Sequence, residues 1–194
     1  MLVSELITWC NRIYEPDATS YKITDSQWIG FFNEALVDLK PYAKLKETYT
    51  TNLVNGTSEY SLPADFYKLF LLRVKPKATD DYYLNYPEVL IEDDYSTGYK
   101  LWESITLQPV IEENVTDGLQ MYYYKNHAEL TASTENIEIS NPYLVGLYSL
   151  GRVETGDRVL DISNRYFREY ADGINKLRLN EVKTYQDYSI RDVY

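Results

Sequence analysis

The chain has 194 residues, of which 44% are hydrophobic and 25% charged, ordinary values for a globular protein that buries its own core. Its formal net charge of −11 opposes the release of counterions that drives binding to phosphate backbones, which argues against a protein that grips nucleic acid. A single cysteine, Cys10, excludes an intrachain disulfide framework. The longest apolar runs are too short for a membrane span and no signal peptide is recognisable, so we expect a soluble protein made in a cytoplasm.

Two amphipathic helices are predicted at the N-terminus. The first covers Leu2 to Tyr14, where apolar residues recur on one stripe until Pro16 stops the helix. The second begins near Asp25, because Thr24 and Gln27 have the spacing of a capping box. Its apolar residues repeat at intervals of three and four: Trp28, Ile29, Phe32, Ala35, Leu36 and Leu39.

The pattern then changes to that of strands. Thr48 to Val54 and Glu59 to Leu62 flank Asn55-Gly56, a dipeptide that favours a tight hairpin turn. Two acidic loops, Thr79 to Tyr86 and Ile91 to Tyr99, interrupt the strand signals. Further strands are predicted at Phe70 to Val74, Lys100 to Trp102, Ser104 to Leu107 and Leu119 to Lys125. Residues 48–126 are therefore predicted to form an antiparallel β subdomain.

Helical signals return in the last third of the chain. Asn141-Pro142 predicts the start of a short helix that ends near Gly151, and the stretch Gly151 to Gly156 predicts a break. A longer helix is predicted from Asp157 to Asn180, followed by an extended tail. The predicted fold is α+β, with helices of residues 1–47 and 127–180 forming a bundle, the β subdomain between them, and the tail at 181–194.

Residues that could carry chemistry are scarce. The only histidine, His127, follows a predicted strand in a loop, and Cys10 lies on the apolar stripe of the first helix, where a buried thiol is expected. The acidic groups Asp80-Asp81 and Glu92-Asp93-Asp94 lack the ligand spacing of a calcium loop. No glycine-rich phosphate loop is present. The sequence therefore predicts no enzyme, no cofactor and no metal site.

The 21 tyrosines are the second unusual feature of the composition, after the charge. Tyrosine combines a large apolar face with a polar tip, so an excess of it suits protein interfaces as well as a tyrosine-rich core. Another hypothesis is a carbohydrate-binding β module, with exposed tyrosines stacking on sugar faces: Tyr83, Tyr86, Tyr95 and Tyr99. A third is an enzyme that uses carboxylates alone.

One segment carries a resemblance to a known family. A capped helix is followed by a glycine turn and then by the pattern G-x-x-x-Y-x-L-P-x-D-F, which leads into a strand. This arrangement resembles the head-to-tail connector, or adaptor, proteins of tailed bacteriophages. The matching residues are Trp28, Phe32, Asn33 and Ala35 on the helix, then Gly56, Tyr60, Leu62, Pro63, Asp65 and Phe66.

The resemblance implies a structural virion protein without enzymatic activity. Such an adaptor forms a ring, of twelve copies, between the portal and the tail or nozzle proteins, and DNA passes through its channel without sequence-specific binding. It would be assembled in the host cytoplasm and reside in the neck of the virion. The resemblance also implies that the C-terminal arm docks on the portal through Tyr185, Tyr188, Ile190, Arg191, Val193 and Tyr194, whereas the sequence of the arm alone favours a disordered terminus.

Overall fold

The structure is a computed structural model that describes residues 1–14, 22–89, 97–156 and 159–191, with the backbone alone described for 180–191. It has four helices and seven strands in these residues, so the predicted α+β class is confirmed. The chain divides into two compact units. We call residues 1–44 with 127–194 the helical unit and residues 45–126 the β unit.

The helical unit contains α1 (Val3–Ile13), α2 (Asp25–Leu39), α3 (Tyr143–Gly156) and α4 (Leu160–Arg191). The predicted capping box starts α2, because the backbone N–H of Gln27 donates to Thr24 Oγ1 and the N–H of Thr24 donates to Gln27 Oε1. The core combines the apolar stripes of the helices with the loop before α3. Its members include Leu6, Cys10, Trp28, Phe32, Leu39, Leu144, Leu150 and Tyr170.

The predicted break at Gly151 to Gly156 is wrong, since α3 continues through both glycines. Gly151 instead permits close packing of α3 against α4. A Cβ atom at this position would lie 2.9 Å from Cζ of the Phe167 ring. The glycine therefore marks a helix contact, a role that sequence alone does not distinguish from a break.

The backbone of α4 also differs from the prediction, because it stays helical to Arg191 instead of becoming extended after Asn180. No glycine or proline follows Gly173, and the sequence from Lys176 is rich in residues with favourable helix propensity. Nothing in this stretch forces the helix to end. The apolar residues after Asn180 do not recur at helical intervals, and this pattern suggested an extended tail. The backbone is nevertheless helical there.

The β unit contains two antiparallel sheets around one core. Strands β1 (Leu45–Leu53), β7 (Val115–Lys125), β3 (Phe66–Val74) and β4 (Leu84–Tyr86) form the first sheet, in that order. Strands β2 (Glu59–Ser61), β6 (Ser104–Gln108) and β5 (Gly98–Leu101) form the second. The shared core includes Leu53, Leu72, Val74, Ile105, Leu107, Leu119, Met121 and Tyr123.

The predicted hairpin between β1 and β2 is wrong, although the turn itself exists. Gly56 has a φ of +75°, as the Asn-Gly pair predicts. The two flanking strands nevertheless enter different sheets, since β1 pairs with β7 and β2 pairs with β6. The N–H of Val54 donates to the Tyr60 hydroxyl at 3.2 Å instead of to a strand partner, and the N–H of Gly56 donates to the carbonyl of Ile111 at 3.0 Å.

No helix in the described part of the chain is long and apolar enough to cross a membrane.

Candidate functional site

The motif residues on α2 form the centre of the helical unit. Trp28, Phe32 and Ala35 are fully buried. The Trp28 and Phe32 rings stack with centroids 6.1 Å apart, and the indole Nε1–H donates to Asn11 Oδ1 at 2.9 Å. The indole N–H is therefore satisfied inside the core, as a buried tryptophan requires. These side chains therefore stabilise the core and are not accessible to a binding partner.

Asn33 connects α2 to the loop that precedes α3 within the helical unit. Its Nδ2 donates to the carbonyl of Leu130 at 2.9 Å, and its Oδ1 accepts from the N–H of the same residue at 2.8 Å. One side chain thus satisfies both backbone groups of a buried residue. The sequence singled out Asn33 through the family pattern, but nothing local indicated a partner 97 positions away.

The motif residues of the β unit stabilise the turns before β2 and before β3. The Tyr60 hydroxyl accepts from the Val54 N–H and donates to the Thr57 carbonyl at 3.1 Å, which fixes the glycine turn. Leu62 packs against the core of the unit. The carbonyl of Pro63 accepts from the N–H of Phe66 at 3.0 Å, so the proline closes a turn into β3.

Asp65 and Phe66 both contact Tyr123 on β7. The phenol donates to Asp65 Oδ1 at 2.8 Å, and the Phe66 ring stacks on the Tyr123 ring with centroids 5.6 Å apart. Burial, together with the hydrogen bond to the Asp65 carboxylate, raises the pKa of Tyr123 well above its ordinary value. The second half of the family pattern is therefore also structural, because it ties the entrance of β3 to β7.

The side chains of the predicted portal-binding residues lie outside those that the structure describes. Tyr185, Tyr188, Ile190 and Arg191 belong to the last turns of α4, where the structure describes the backbone alone. Val193 and Tyr194 lie outside the described residues. Their role stays a prediction.

The residues considered for catalysis or metal binding do not form a reactive site among the described residues. Cys10 is fully buried, and burial raises the pKa of its thiol to about 12, so the thiol stays protonated at neutral pH. His127 lies in a loop and is half-buried. Asp80 Oδ2 accepts from the N–H of Lys77, which closes a turn. Among the described residues no group of three or more potential ligands could hold a metal, and Glu92, Asp93 and Asp94 lie outside them.

The tyrosines proposed for carbohydrate stacking do not form an exposed platform. Tyr86 and Tyr99 are buried in the core of the β unit, and burial raises the pKa of both hydroxyls. The Tyr83 hydroxyl donates to the carbonyl of Asp117 at 2.8 Å, and Tyr95 lies outside the described residues. The assumption that all four are exposed was wrong, because alternate strand residues of this region face the core.

A cleft of about 390 Å³ opens in the helical unit. Its walls are mainly apolar, with Tyr14, Ile23, Phe31 and Val153 among them. Among the described residues, Arg152 is the one charged side chain in the lining, and its Nε lies 3.1 Å from Glu34 Oε2. This positive charge already has a carboxylate partner, and the described part of the lining contains no histidine, cysteine or carboxylate, so we assign no chemistry to this cleft.

The most unusual surface feature is a set of exposed aromatic side chains in the β unit. Trp102 occupies the tip between β5 and β6 and is 77% exposed, although its backbone N–H is held by the Ser104 carbonyl at 3.0 Å. The others are Tyr49, Tyr67, Phe70 and Tyr82. Exposed tryptophan and tyrosine are the side chains that most often anchor protein interfaces. The sequence places Trp102 at the end of a predicted strand and does not predict its exposure; its place between two short strands was the available signal.

Comparison with known proteins identifies a family over most of the chain. A family model described as SU10 adaptor protein matches residues 1–191. No curated protein matches. Among solved structures, a chain from the neck of an empty GTA particle, computed with C6 symmetry, is 12% identical with a TM-score of 0.31, over 79% of this chain and 78% of that one. This structural likeness is too weak to support an argument, so the assignment depends on the family match.

Proposed function

Because the chain belongs to the SU10 adaptor protein family, as its resemblance to head-to-tail adaptors indicated, we propose that it forms a ring between the portal and the tail of a phage particle. The proposed ring has twelve copies and lines the channel through which DNA leaves the head. The observation that carries the proposal is the family match, which spans residues 1–191 and includes both halves of the predicted motif.

The division of the chain into two units supports a division of roles. In the proposal, the helical unit supplies most of the contacts between subunits, and the β unit faces the tail or nozzle proteins. The exposed aromatic set of the β unit supports this orientation, because Trp102 and its companions are suited to a partner surface. The buried motif residues then act indirectly, by keeping each unit rigid enough to repeat around a ring.

Helix α4 is the proposed contact with the portal. A helix of 32 residues is about 48 Å long, so its C-terminal turns can reach well beyond the core of the helical unit. The aromatic and basic residues in those turns, Tyr185, Tyr188, Ile190 and Arg191, suit an anchor in an apolar groove. Val193 and Tyr194 would extend the same anchor.

The net charge of −11 suits a channel wall. An electronegative wall repels phosphate, so DNA passes without being retained. The proposal assigns the chain no catalytic activity, and it places the assembled ring in the neck of a virion that is built in the host cytoplasm. Binding to many identical portal sites explains how weak individual contacts can give a stable ring.

The test is co-sedimentation with the portal ring encoded by the same genome. We expect the isolated chain to be monomeric or weakly associating, and to sediment with the portal in a fixed ratio when the two are mixed. A truncation after Asn180 serves as the matched variant, because it removes the proposed anchor and leaves the described core intact.

Loss of portal binding by the truncated chain, with a melting temperature close to that of the full chain, would support the anchor. Equal binding of both chains would move the portal contact to another surface. A tight small oligomer that persists on dilution and does not bind the portal would contradict the proposed ring.

A further inference from the structure

The four-stranded sheet of the β unit has one face on the core and one face directed outward. Leu119 and Met121 of β7 lie in the core. Because side chains alternate along a strand, the residues between and beside them point outward, together with their partners on the neighbouring strands. We call these residues the outward face: Gln120, Tyr122 and Tyr124 of β7, Lys46, Thr48 and Thr50 of β1, Lys68, Leu71 and Arg73 of β3, and Asn85 of β4.

The outward face carries three cations and no carboxylate. Among the described residues, Lys46, Lys68 and Arg73 form no ion pair. The Nε–H of Arg73 donates to a neutral group, Asn85 Oδ1, at 3.2 Å, so the charge of the guanidinium is not compensated. The chain has 30 acidic and 19 basic residues, and a cation in it has many carboxylates available. Three uncompensated cations on one face therefore indicate a surface whose complement lies outside this chain.

Two of the cations lie over aromatic rings of the same face. Lys46 Nζ is 5.9 Å from the centroid of the Phe70 ring, and Arg73 Cζ is 5.3 Å from that of the Tyr122 ring. Phe70 sits at a bulge of β3, and its ring contacts Tyr122 and Tyr124 with centroids 6.4 and 4.9 Å apart. The rings hold the cations in place by cation–π attraction, so less side-chain freedom is lost when an anion binds.

The outward face is accessible in the folded chain. Phe70 is 42% exposed, and Arg73 and Tyr122 are half-buried. An exposed phenylalanine among cations has apolar surface that lacks a partner. The other exposed residues of the face are Lys46, Thr48, Thr50, Lys68 and Asn85. Aromatic and arginine side chains on one accessible surface are typical of protein interfaces.

Such a surface can bind the carboxylates of a protein or the phosphates of a nucleic acid. The net charge of −11 favours the protein, because it repels a polyanion as dense as DNA more strongly than a segment with two or three carboxylates. The rings give a second reason. Lys46 and Arg73 already cover one face of Phe70 and of Tyr122, which makes these rings poor platforms for stacked bases.

The strand register sets the spacing of the cations. Lys46 and Lys68 both pair with Tyr124, from opposite sides of β7, so their backbones are about 10 Å apart. Arg73 pairs with Gln120, four residues along β7, which is about 13 Å away along the strand. In an extended segment, side chains four positions apart lie on the same side with the same separation of about 13 Å. Two acidic residues at this spacing can therefore reach the lysine pair and Arg73 together.

We propose that the outward face binds an acidic segment of a partner protein, with carboxylates on Lys46, Lys68 and Arg73 and an apolar side chain on Phe70. The inference rests on the proposed function, in which the β unit meets the tail or nozzle proteins, and it gives the chemistry of that contact. It also constrains the orientation of the β unit in the ring. The outward face does not line the channel, because its cations would retain the phosphates of passing DNA.

NMR titration of the isotope-labelled full chain with a blocked peptide, Ser-Glu-Ser-Tyr-Ser-Glu-Ser, tests the proposal. We expect amide shifts to change in β1, β3 and β7, and the peptide with glutamine in place of glutamate to cause no change. The variant Lys46→Gln, Lys68→Gln should bind the acidic peptide at least about fivefold more weakly, the effect of losing two exposed ion pairs. The matched control is Lys77→Gln, Lys176→Gln, which removes two exposed lysines outside the face and should bind like the wild type.

Equal binding by the two variants, or no shift changes in the wild type, would overturn the proposal. An oligothymidine strand that binds more tightly than the peptide, and that is lost in the Lys46→Gln, Lys68→Gln variant, would overturn it too, because the ligand would then be a nucleic acid. Melting temperatures close to that of the wild type establish that both variants are folded.

The titration needs neither a portal nor a ring, so its outcome is separate from that of the co-sedimentation experiment. Peptide binding that depends on the face, in a chain that does not bind the portal, would reject the adaptor ring and retain the acidic partner. Portal rings formed by a chain that does not bind the peptide would retain the ring and reject the acidic partner.

Discussion

The two units expose different kinds of apolar side chain. Among the described residues the β unit leaves five large aromatic side chains exposed, namely Tyr49, Tyr67, Phe70, Tyr82 and Trp102. The described side chains of the helical unit include one exposed aromatic, Tyr143, and its other exposed large side chains are aliphatic, as in Val37, Leu160 and Leu179. Scattered aliphatic exposure is normal for a folded surface, whereas a concentration of exposed aromatics is typical of a binding surface.

The helical unit, by contrast, buries most of its described aromatic side chains in its own core. Trp28, Phe32, Tyr166 and Tyr170 are buried, and the Tyr170 hydroxyl donates to Asp38 Oδ2 at 2.5 Å across the bundle. We infer that substitutions of aromatic residues in the helical unit act on folding, and that substitutions of exposed aromatics in the β unit act on assembly. Paired substitutions in the two units test this contrast.

The two tryptophans Trp28 and Trp102 give the sharpest comparison. Trp28→Ala removes a fully buried indole and leaves Asn11 without its donor, so we expect a loss of about 3–5 kcal/mol in the free energy of unfolding. Trp102→Ala removes a side chain that is 77% exposed and should change that free energy by less than about 0.5 kcal/mol. Urea titrations followed by circular dichroism measure both.

Binding of the tail should respond in the opposite order. We expect Trp102→Ala to raise the concentration of tail or nozzle protein needed for half-maximal binding to the assembled ring by about thirtyfold, the effect of an interface anchor worth about 2 kcal/mol. Normal tail binding by this variant would remove Trp102 from the proposed tail-facing surface and contradict the contrast between the two units.

A matched pair of asparagines tests the hydrogen bonds between Asn33 and the backbone of Leu130. Asn33→Ala leaves the N–H and C=O of Leu130 without partners, so we expect a loss of about 1–3 kcal/mol in unfolding free energy. Asn85→Ala removes an exposed contact with Arg73 Nε and should cost less than about 0.5 kcal/mol. Similar losses for the two variants would show that the Asn33 contacts contribute little.

Two glycines of the helical unit test the packing of α3 on α4. Gly151→Ala introduces a Cβ atom 2.9 Å from the Phe167 ring and should destabilise the protein by about 1–3 kcal/mol. Gly30→Ala lies within α2, where an added Cβ meets nothing within 4 Å, and should stabilise it by about 0.5–1 kcal/mol. Thermal melting of both variants gives the signs, and a stabilising Gly151→Ala would refute close packing as the reason for that glycine.

Alkaline pH should weaken both units through their buried phenols. Burial and a hydrogen bond to an aspartate raise the pKa of Tyr123 and of Tyr170 above the ordinary value of 10.0. The unfolded chain releases these protons near pH 10 while the folded chain retains them, so this stability is complete below pH 10 and is lost as the pH rises further. The expected slope is about 1.4 kcal/mol per pH unit for each group.

Urea titrations between pH 9 and pH 11 measure this slope. Tyr123→Phe should flatten the dependence of the β unit, and Tyr170→Phe that of the helical unit. A slope unchanged in both variants would mean that other groups dominate the alkaline transition.

The sequence predicted features whose signals are local. The capping box of Thr24 and Gln27 sets the start of α2, and the Asn55-Gly56 pair sets a turn with positive φ, because each depends on neighbours within a few positions. The strand pairing could not be predicted in the same way. The partner of β1 is β7, about 70 positions away, and its selection depends on which faces bury Leu119, Met121 and Tyr123.

The contacts of the motif residues, like the strand pairing, depend on residues distant in sequence and could not be predicted. The pattern identified Asn33 and Asp65 as important, but their contacts with Leu130 and Tyr123 are 97 and 58 positions away in sequence. Gly151 was taken for a break because a helix glycine in contact with a ring and a glycine that ends a helix have the same local sequence. The exposure of Trp102 depends on the tertiary arrangement of two short strands, which no periodicity reveals.

The proposed function requires that this chain close a ring on a portal. Cryo-electron microscopy of the wild-type chain mixed with the portal ring from the same genome would make that ring visible. We expect a continuous ring of twelve copies beneath the portal, with α4 directed towards the portal and the exposed aromatics of the β unit available to the tail. A bare portal at saturating protein, or copies bound singly without contacts to one another, would contradict it.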